Sequence, residues 1–296
     1  MRKILVVLLL IVSICIPAHA YAETKLKGLQ VSPLRSRPAL RPGDTSTGQL
    51  SLSNNTDSAS LVTLYVERFR VTDEDYHYDF APGEHTDWVR LADTKIQLNK
   101  NENKKVAYSL AIPSDAPPGG YYFAVFASTE SSGSGSSFKE VKRVASLIYL
   151  EVGGVLSKKV NLLGTDAPWF TKSRQLRIDS RLANQGNTHV EARLKQSIRP
   201  FVGPVPESVQ KEGLILPGSI RKLRSTVKIP WWPGIYKLSV DYSPPQGGPT
   251  QSIRQILIYF PVWAWMTSLL ILILLVWRII GRKFNPSGAQ RYTRPR

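Results

Sequence analysis

The densest gathering of ionisable side chains in this chain is Asp73, Glu74, Asp75, His77 and Asp79. Clustered carboxylates suit calcium, but this run lacks the glycine and ligand spacing of a calcium loop. The expectation is a solvated loop and no metal. The histidines after the N-terminal apolar run, His77, His85 and His189, stand in no metal-binding spacing. There is no Gly-x-Ser-x-Gly elbow and no phosphate-cradling loop. The one cysteine, Cys15, lies inside that N-terminal run, so the rest of the chain has no disulfide and no thiol nucleophile. Paired carboxylates for glycoside cleavage would need a cleft that small sandwiches seldom carry. The expectation is therefore a protein that is not an enzyme and needs no cofactor.

Aromatic side chains are the stronger lead. Tyr76, Tyr78, Phe80 and Trp88 lie in or beside a polar, irregular stretch, residues 71–87, where a place in a core is least natural. Exposed rings stack on sugars, and this set is the candidate ligand-binding group. Trp169-Phe170 and Trp231-Trp232 are the candidate partner-binding group, or else line a seam between domains or beside a membrane. The net charge is +17, and the basic balance left between the two ends suits anionic polymers or phosphate headgroups outside a cell, or else is ordinary solubilising charge, with no nucleic-acid partner expected.

Positioning these residues falls to short strands. Segments such as 49–53, 60–70 and 104–112 alternate apolar and polar residues with a period of two. Turn residues separate them, as at Arg41-Pro42-Gly43-Asp44 and Asn54-Asn55-Thr56-Asp57. About seven strands precede Gly153-Gly154, and a similar pattern follows. The expectation is all-β: two tandem immunoglobulin-like sandwiches, residues 23–154 and 155–258. Residues 131–137 read as a flexible Ser/Gly loop, and residues 200–212 as a proline-rich polar stretch. In both halves a Pro-Gly turn leads to a tyrosine, and Tyr122 and Tyr236 are expected to be corner tyrosines tied back to backbone.

Two apolar segments frame the sandwiches. Arg2-Lys3, an apolar run to Ile16 and small residues to Ala22 read as a secretory leader, residues 1–22. Residues 259–280 read as a transmembrane helix, since about 20 apolar residues cross a core of about 30 Å. The only charge between Phe260 and Ile280 is Arg278. The tail 281–296 is basic and lacks acids, which places it in the cytoplasm and the sandwiches outside, at the plasma membrane. The absence of disulfides and the small-residue leader lean towards a bacterium.

Particular motifs resemble a known family. Leu29-x-Val31-Ser32-Pro33, Pro42-Gly43-Asp44 and Ile112-Pro113-x-Asp115-Ala116-Pro117-Pro118-Gly119-Gly120-Tyr121 look like the first domain of the WxL-interacting proteins of Gram-positive bacteria. Leu182-x-Asn184, Leu216-Pro217-Gly218 and Pro233-Gly234-x-Tyr236 look like their second domain. The resemblance implies a non-enzymatic, membrane-anchored adaptor of the cell surface. Its first domain would bind peptidoglycan or another anionic wall polymer, and its second a WxL surface protein. The opening also looks like the periplasmic pilus chaperones, which have two sandwiches and no membrane anchor. That alternative implies an assembly factor that binds clients by β-strand addition, and it requires a long unpaired edge strand.

Overall fold

The computed structural model describes residues 27–132, 139–201 and 207–283. The leader 1–22, the Ser/Gly loop beyond Ser132 and the tail beyond Lys283 lie outside the described residues. The chain is all-β with a single C-terminal helix.

Strands up to Val152 form two facing sheets. The first has the order β1 (Gly28–Ser32), β4 (Thr45–Asn55), β9 (Asn103–Ala111), β7 (Val89–Leu91). The second runs β2 (Arg35–Ser36), β11 (Lys139–Val152), β10 (Gly119–Ser132), β5 (Ser60–Val71), β6 (Tyr78–Ala81). In it β3 (Ala39–Leu40) also pairs β11, and β8 (Lys95–Leu98) pairs β5. The period-two alternation does the work expected of it. Leu50, Leu52, Val62, Leu64, Val106, Leu110, Phe123, Val125, Ile148 and Leu150 all turn into one dry core.

From Val160 a second pair of sheets forms. One holds β12 (Val160–Asp166), β14 (Gln175–Asn184) and β17 (Ile220–Lys228). The other runs β13 (Phe170–Thr171), β19 (Gln251–Tyr259), β18 (Gly234–Tyr242), β15 (Val190–Pro200), β16 (Glu207–Ile215). Its core gathers Leu176, Ile178, Leu194, Ile198, Val227, Leu238 and Val240. Helix α1 (Val262–Lys283) follows β19 after only Phe260-Pro261. Its stretch Val262–Ile280 is long and apolar enough to cross a membrane, and its apolar side chains other than Ala264 are exposed.

Two expectations change. Residues 71–87 are not irregular throughout: β6 folds back on the end of β5, with Val71 opposite Tyr78 and Arg68 opposite Ala81. Residues 200–212 are not merely a polar stretch: β16 pairs β15 from Glu207 onward, and Arg193 and Glu212 meet across the ladder at 2.9 Å. β16 reads as polar because it is an edge strand whose residues before Gly213 are exposed except the half-buried Val209, and charged side chains suit such an edge.

Each sandwich also carries a buried asparagine that closes a turn. Asn54 Nδ2 donates to the Ser58 and Leu98 carbonyls at 2.8 and 3.2 Å. Asn184 Nδ2 donates to the Thr188 and Ile215 carbonyls at 2.8 and 2.9 Å, and its Oδ1 accepts the Gly186 N–H. Both are 1% exposed, so each amide satisfies carbonyls that would otherwise be orphaned. The repeated Leu-x-Asn, at Leu52 and Leu182, was the available signal.

Candidate functional site

The path of the first strand shapes the candidate site. β1 pairs β4 in one sheet; the chain then passes the cis-linked Pro33 into the other sheet. There β2 and β3 run parallel to β11, with Leu147 opposite Arg35 and Val152 opposite Leu40. The Ser146 hydroxyl donates to the Pro33 carbonyl at 2.6 Å where the chain crosses. On its other side β11 pairs β10 along its whole length, Lys139 to Val152. From residue 139 to 146, one side of β11 therefore has no partner strand among the described residues.

The direction of its hydrogen-bonding groups follows from alternation. The N–H groups of Leu147, Glu151 and Gly153 donate to the carbonyls of Leu34, Pro38 and Leu40. Every second residue of a strand turns its N–H to the same side, so Ala145, Arg143 and Val141 turn theirs to the open edge. Val141 is 56% exposed, and Leu34, beside the point where pairing begins, is 68% exposed. The Arg143 guanidinium lies 4.7 Å from the centre of the Phe126 ring. An unpaired, partly apolar strand edge is a template for another strand.

The candidate aromatics go elsewhere. Tyr76 and Trp88 are buried, and Tyr78 and Phe80 are half-buried, so the exposed stacking face expected of this set is not presented. Trp88 packs against His85 and Tyr121 with ring centres 4.5 and 4.6 Å away. Phe80 lies edge-on to Phe126, and Tyr78 edge-on to Phe69. Tyr76 reaches the second sandwich: its hydroxyl accepts the Leu216 N–H at 2.6 Å and meets the Ser219 hydroxyl at 3.0 Å. The Arg221 guanidinium covers its ring at 4.2 Å. The turn that receives it needs Gly218, whose φ is +69°.

The acidic cluster is largely exposed, as expected of a solvated loop, but two of its members, Glu74 and Asp75, also serve the same contact. Asp75 pairs Lys222 at 3.3 Å and Arg224 at 2.6 Å. The Glu74 carbonyl accepts the Lys222 N–H, and Arg181 lies 3.8 Å from its carboxylate. Asp73 holds His77 Nδ1 at 2.6 Å; that hydrogen bond lowers the aspartate pKa and raises the histidine's. Asp79 pairs Arg70 at 2.8 Å. Among the described residues no group of three His, Cys, Asp or Glu could hold a metal.

The corner tyrosine of the first half is Tyr121, not Tyr122. Tyr121 donates to the Pro117 carbonyl at 2.9 Å, and Tyr236 donates to the Trp232 carbonyl at 2.6 Å. Each is the third residue after a proline, at Pro118 and Pro233, and that spacing was legible. Tyr122 instead faces His189, Oη to Nδ1 at 3.5 Å. The domains approach closely here: Gly120 N–H donates to the Asn187 carbonyl at 2.8 Å, and a side chain at Gly120 would overlap the Tyr122 hydroxyl. Burial pushes the His189 pKa down and that of Tyr122 up.

The second aromatic set lies where α1 begins. Trp231 and Trp232 stack at 3.8 Å, and Trp231 lies 6.1 Å from Trp263 in the first turn of the helix. Trp169 contacts Phe170, and its carbonyl accepts the Ile258 N–H.

No family model matches the sequence, and no curated protein matches it. Among solved structures the chain is similar to the class 5 fimbriae chaperone CfaA, at 11% identity and a TM-score of 0.43, over 79% of this chain and 100% of that one. A chaperone–tip adhesin complex of CFA/I fimbriae matches at 10% identity and 0.42, over 79% and 100%. The CsuC–CsuE chaperone–tip adhesin complex of Acinetobacter baumannii matches at 9% and 0.39, over 76% and 97%. Likeness at this level carries no argument about function.

Proposed function

We propose that this chain is a membrane-anchored, non-enzymatic protein-binding module that takes an extended segment of a surface protein onto the open edge of β11. One observation carries the reading: β11 is fully paired on one side, but from residue 139 to 146 no described strand pairs it on the other. A partner strand there would receive the N–H groups of Val141, Arg143 and Ala145, and main-chain bonds would supply affinity. Its side chains would meet Val141, Ala145 and Leu34. Helix α1 holds the module at the plasma membrane, with both sandwiches outside and the basic tail inside, in accord with the charge distribution.

Incorporating a photo-reactive amino acid at position 143 of the full chain, in cells, tests the proposal. The control position is Gln210, on the charged edge of β16. Cross-linking to a defined extended segment of one surface protein at 143, and not at 210, is expected. A synthetic copy of that segment should then slow amide exchange at Val141, Arg143 and Ala145. Equal cross-linking at both positions, or no slowing of these amides, overturns the reading.

A further inference from the structure

The end of the second sandwich that carries α1 gathers exposed aromatic side chains. β19 ends at Tyr259 and α1 begins at Val262, so no linker separates sheet from helix. The Phe260 N–H donates to the Thr171 carbonyl, and the Phe260 ring packs on Trp265 at 4.9 Å, which ties the two together. The strand registers bring four segments to this end: Gly234 pairs Tyr259, Phe170 pairs Ile258, Pro200 pairs Tyr236, and Gln175 pairs Lys228.

These segments share a composition. Trp169, Phe201, Trp231, Trp232 and Ile235 are each more than half exposed. Around them stand Lys172, Arg174, Arg199, Lys228 and Lys237. No Asp or Glu occurs in residues 167–178, 195–201, 228–237 or 254–265; Glu207, opposite Ile198, and Asp166, three residues before Trp169, border them. Large apolar side chains crowded on one exposed surface mark a contact. Tryptophan with flanking cations favours the boundary between hydrocarbon and headgroup. The Trp231 ring, close to Trp263, lies level with the start of the helix.

We infer that this collar of tryptophans and cations is a binding surface for anionic phospholipid headgroups, on which the second sandwich rests. The inference depends on the reading of α1 as a membrane span. The opposite end of the same sandwich, at Asn187, Leu216 and Ser219, carries the first sandwich. Strands of nine residues, such as β18, span about 30 Å, so docking would raise the first sandwich to that height above the bilayer. A headgroup-bound collar would add a second restraint on the module's orientation to the contacts that already tie β19 to α1.

The test uses the full chain in nanodiscs of phosphatidylcholine alone or of phosphatidylcholine with phosphatidylglycerol. A membrane-impermeant amine reagent labels Lys172, Lys228 and Lys237, with Lys95 and Lys104 of the first sandwich as internal reference. Each cation near an anionic surface is worth about 1 kcal/mol, or about fivefold. Labelling of the three collar lysines is therefore expected to fall about fivefold in the anionic discs relative to the reference pair. Trp231→Ser with Trp232→Ser should restore much of it while leaving Lys95 and Lys104 unchanged. Equal labelling in both discs overturns the headgroup assignment. Failure of the chain to float with vesicles after an alkaline wash would instead overturn the span itself.

Discussion

The Tyr76 hydroxyl accepts the backbone N–H of Leu216 at 2.6 Å, across 140 residues of sequence. The ring is 9% exposed and lies under Arg221. This contact joins the loop after β5 to the turn before β17, and with Phe69, Phe126, Tyr149, Leu214 and Leu216 it forms an apolar cluster shared by both sandwiches.

Tyr76→Phe keeps the ring and its cation but removes the acceptor. A buried N–H left without a partner costs about 1–3 kcal/mol. Urea unfolding of the detergent-solubilised chain should show that loss, with the two sandwiches unfolding less cooperatively. An unchanged midpoint would mean that the hydroxyl does not bridge the domains in solution. The half-exposed pairs of Asp75 with Lys222 and Arg224 should contribute less, about 0–1 kcal/mol each.

Asn184→Ala would orphan the Thr188 and Ile215 carbonyls and the Gly186 N–H. A loss of at least about 2 kcal/mol is expected, by the same denaturation measurement. Asn184→Asp should be worse, because a carboxylate would face two carbonyl oxygens. Asn54→Ala should act alike in the first sandwich, independently of the second.

His189 gives a pH dependence. Burial holds its pKa below the usual 6.5; Glu151 pulls it upward, while Arg37 and Lys158 push it down, and Glu191 also faces it. The unfolded chain therefore binds the proton more readily than the folded one. Stability from this group is complete above about pH 6.5 and falls as pH drops towards the depressed folded value. Glu151 acts in the same direction but at lower pH, below its ordinary 4.5: burial alone would raise its carboxyl, but hydrogen bonds from Lys158 and Thr188 hold it low. Unfolding midpoints between pH 7.5 and pH 5, about the range of histidine titration, should fall in the parent and fall less in His189→Gln. An equal fall in both would assign the slope elsewhere.

Two prolines separate folding from binding at β11. Ala145 turns its N–H to the open edge, whereas Val144 turns its own towards β10. Ala145→Pro should leave the fold intact and weaken binding of the partner segment at least tenfold, about 1.4 kcal/mol. Val144→Pro should destabilise the domain itself by breaking a ladder bond. Isothermal titration with the cross-linked segment and thermal unfolding read the two effects apart.

Much of the fold was legible because its signals are local. The alternation in β4, β5, β9 and β14, the punctuation at Pro42-Gly43 and Pro217-Gly218, and the apolar run of α1 each depend on neighbours a few residues away. β6 and β16 were less so. β6 is short and sits in a stretch rich in charge, and β16 is an edge strand whose polar side chains face water on both sides.

The sequence by itself determined the sandwich class and the long apolar helix, since period and run length are properties of adjacent residues. It did not determine what the aromatics touch. Tyr76 and Trp88 looked free in a polar stretch, yet one meets Leu216 and the other Tyr121, partners far along the chain. The open half of β11 was likewise hidden, because an edge is defined by a strand that is missing beside it. Only the tertiary structure, by sending β2 and β3 to one end of β11 while no described strand pairs the same side of its other end, decided where the described chain offers backbone.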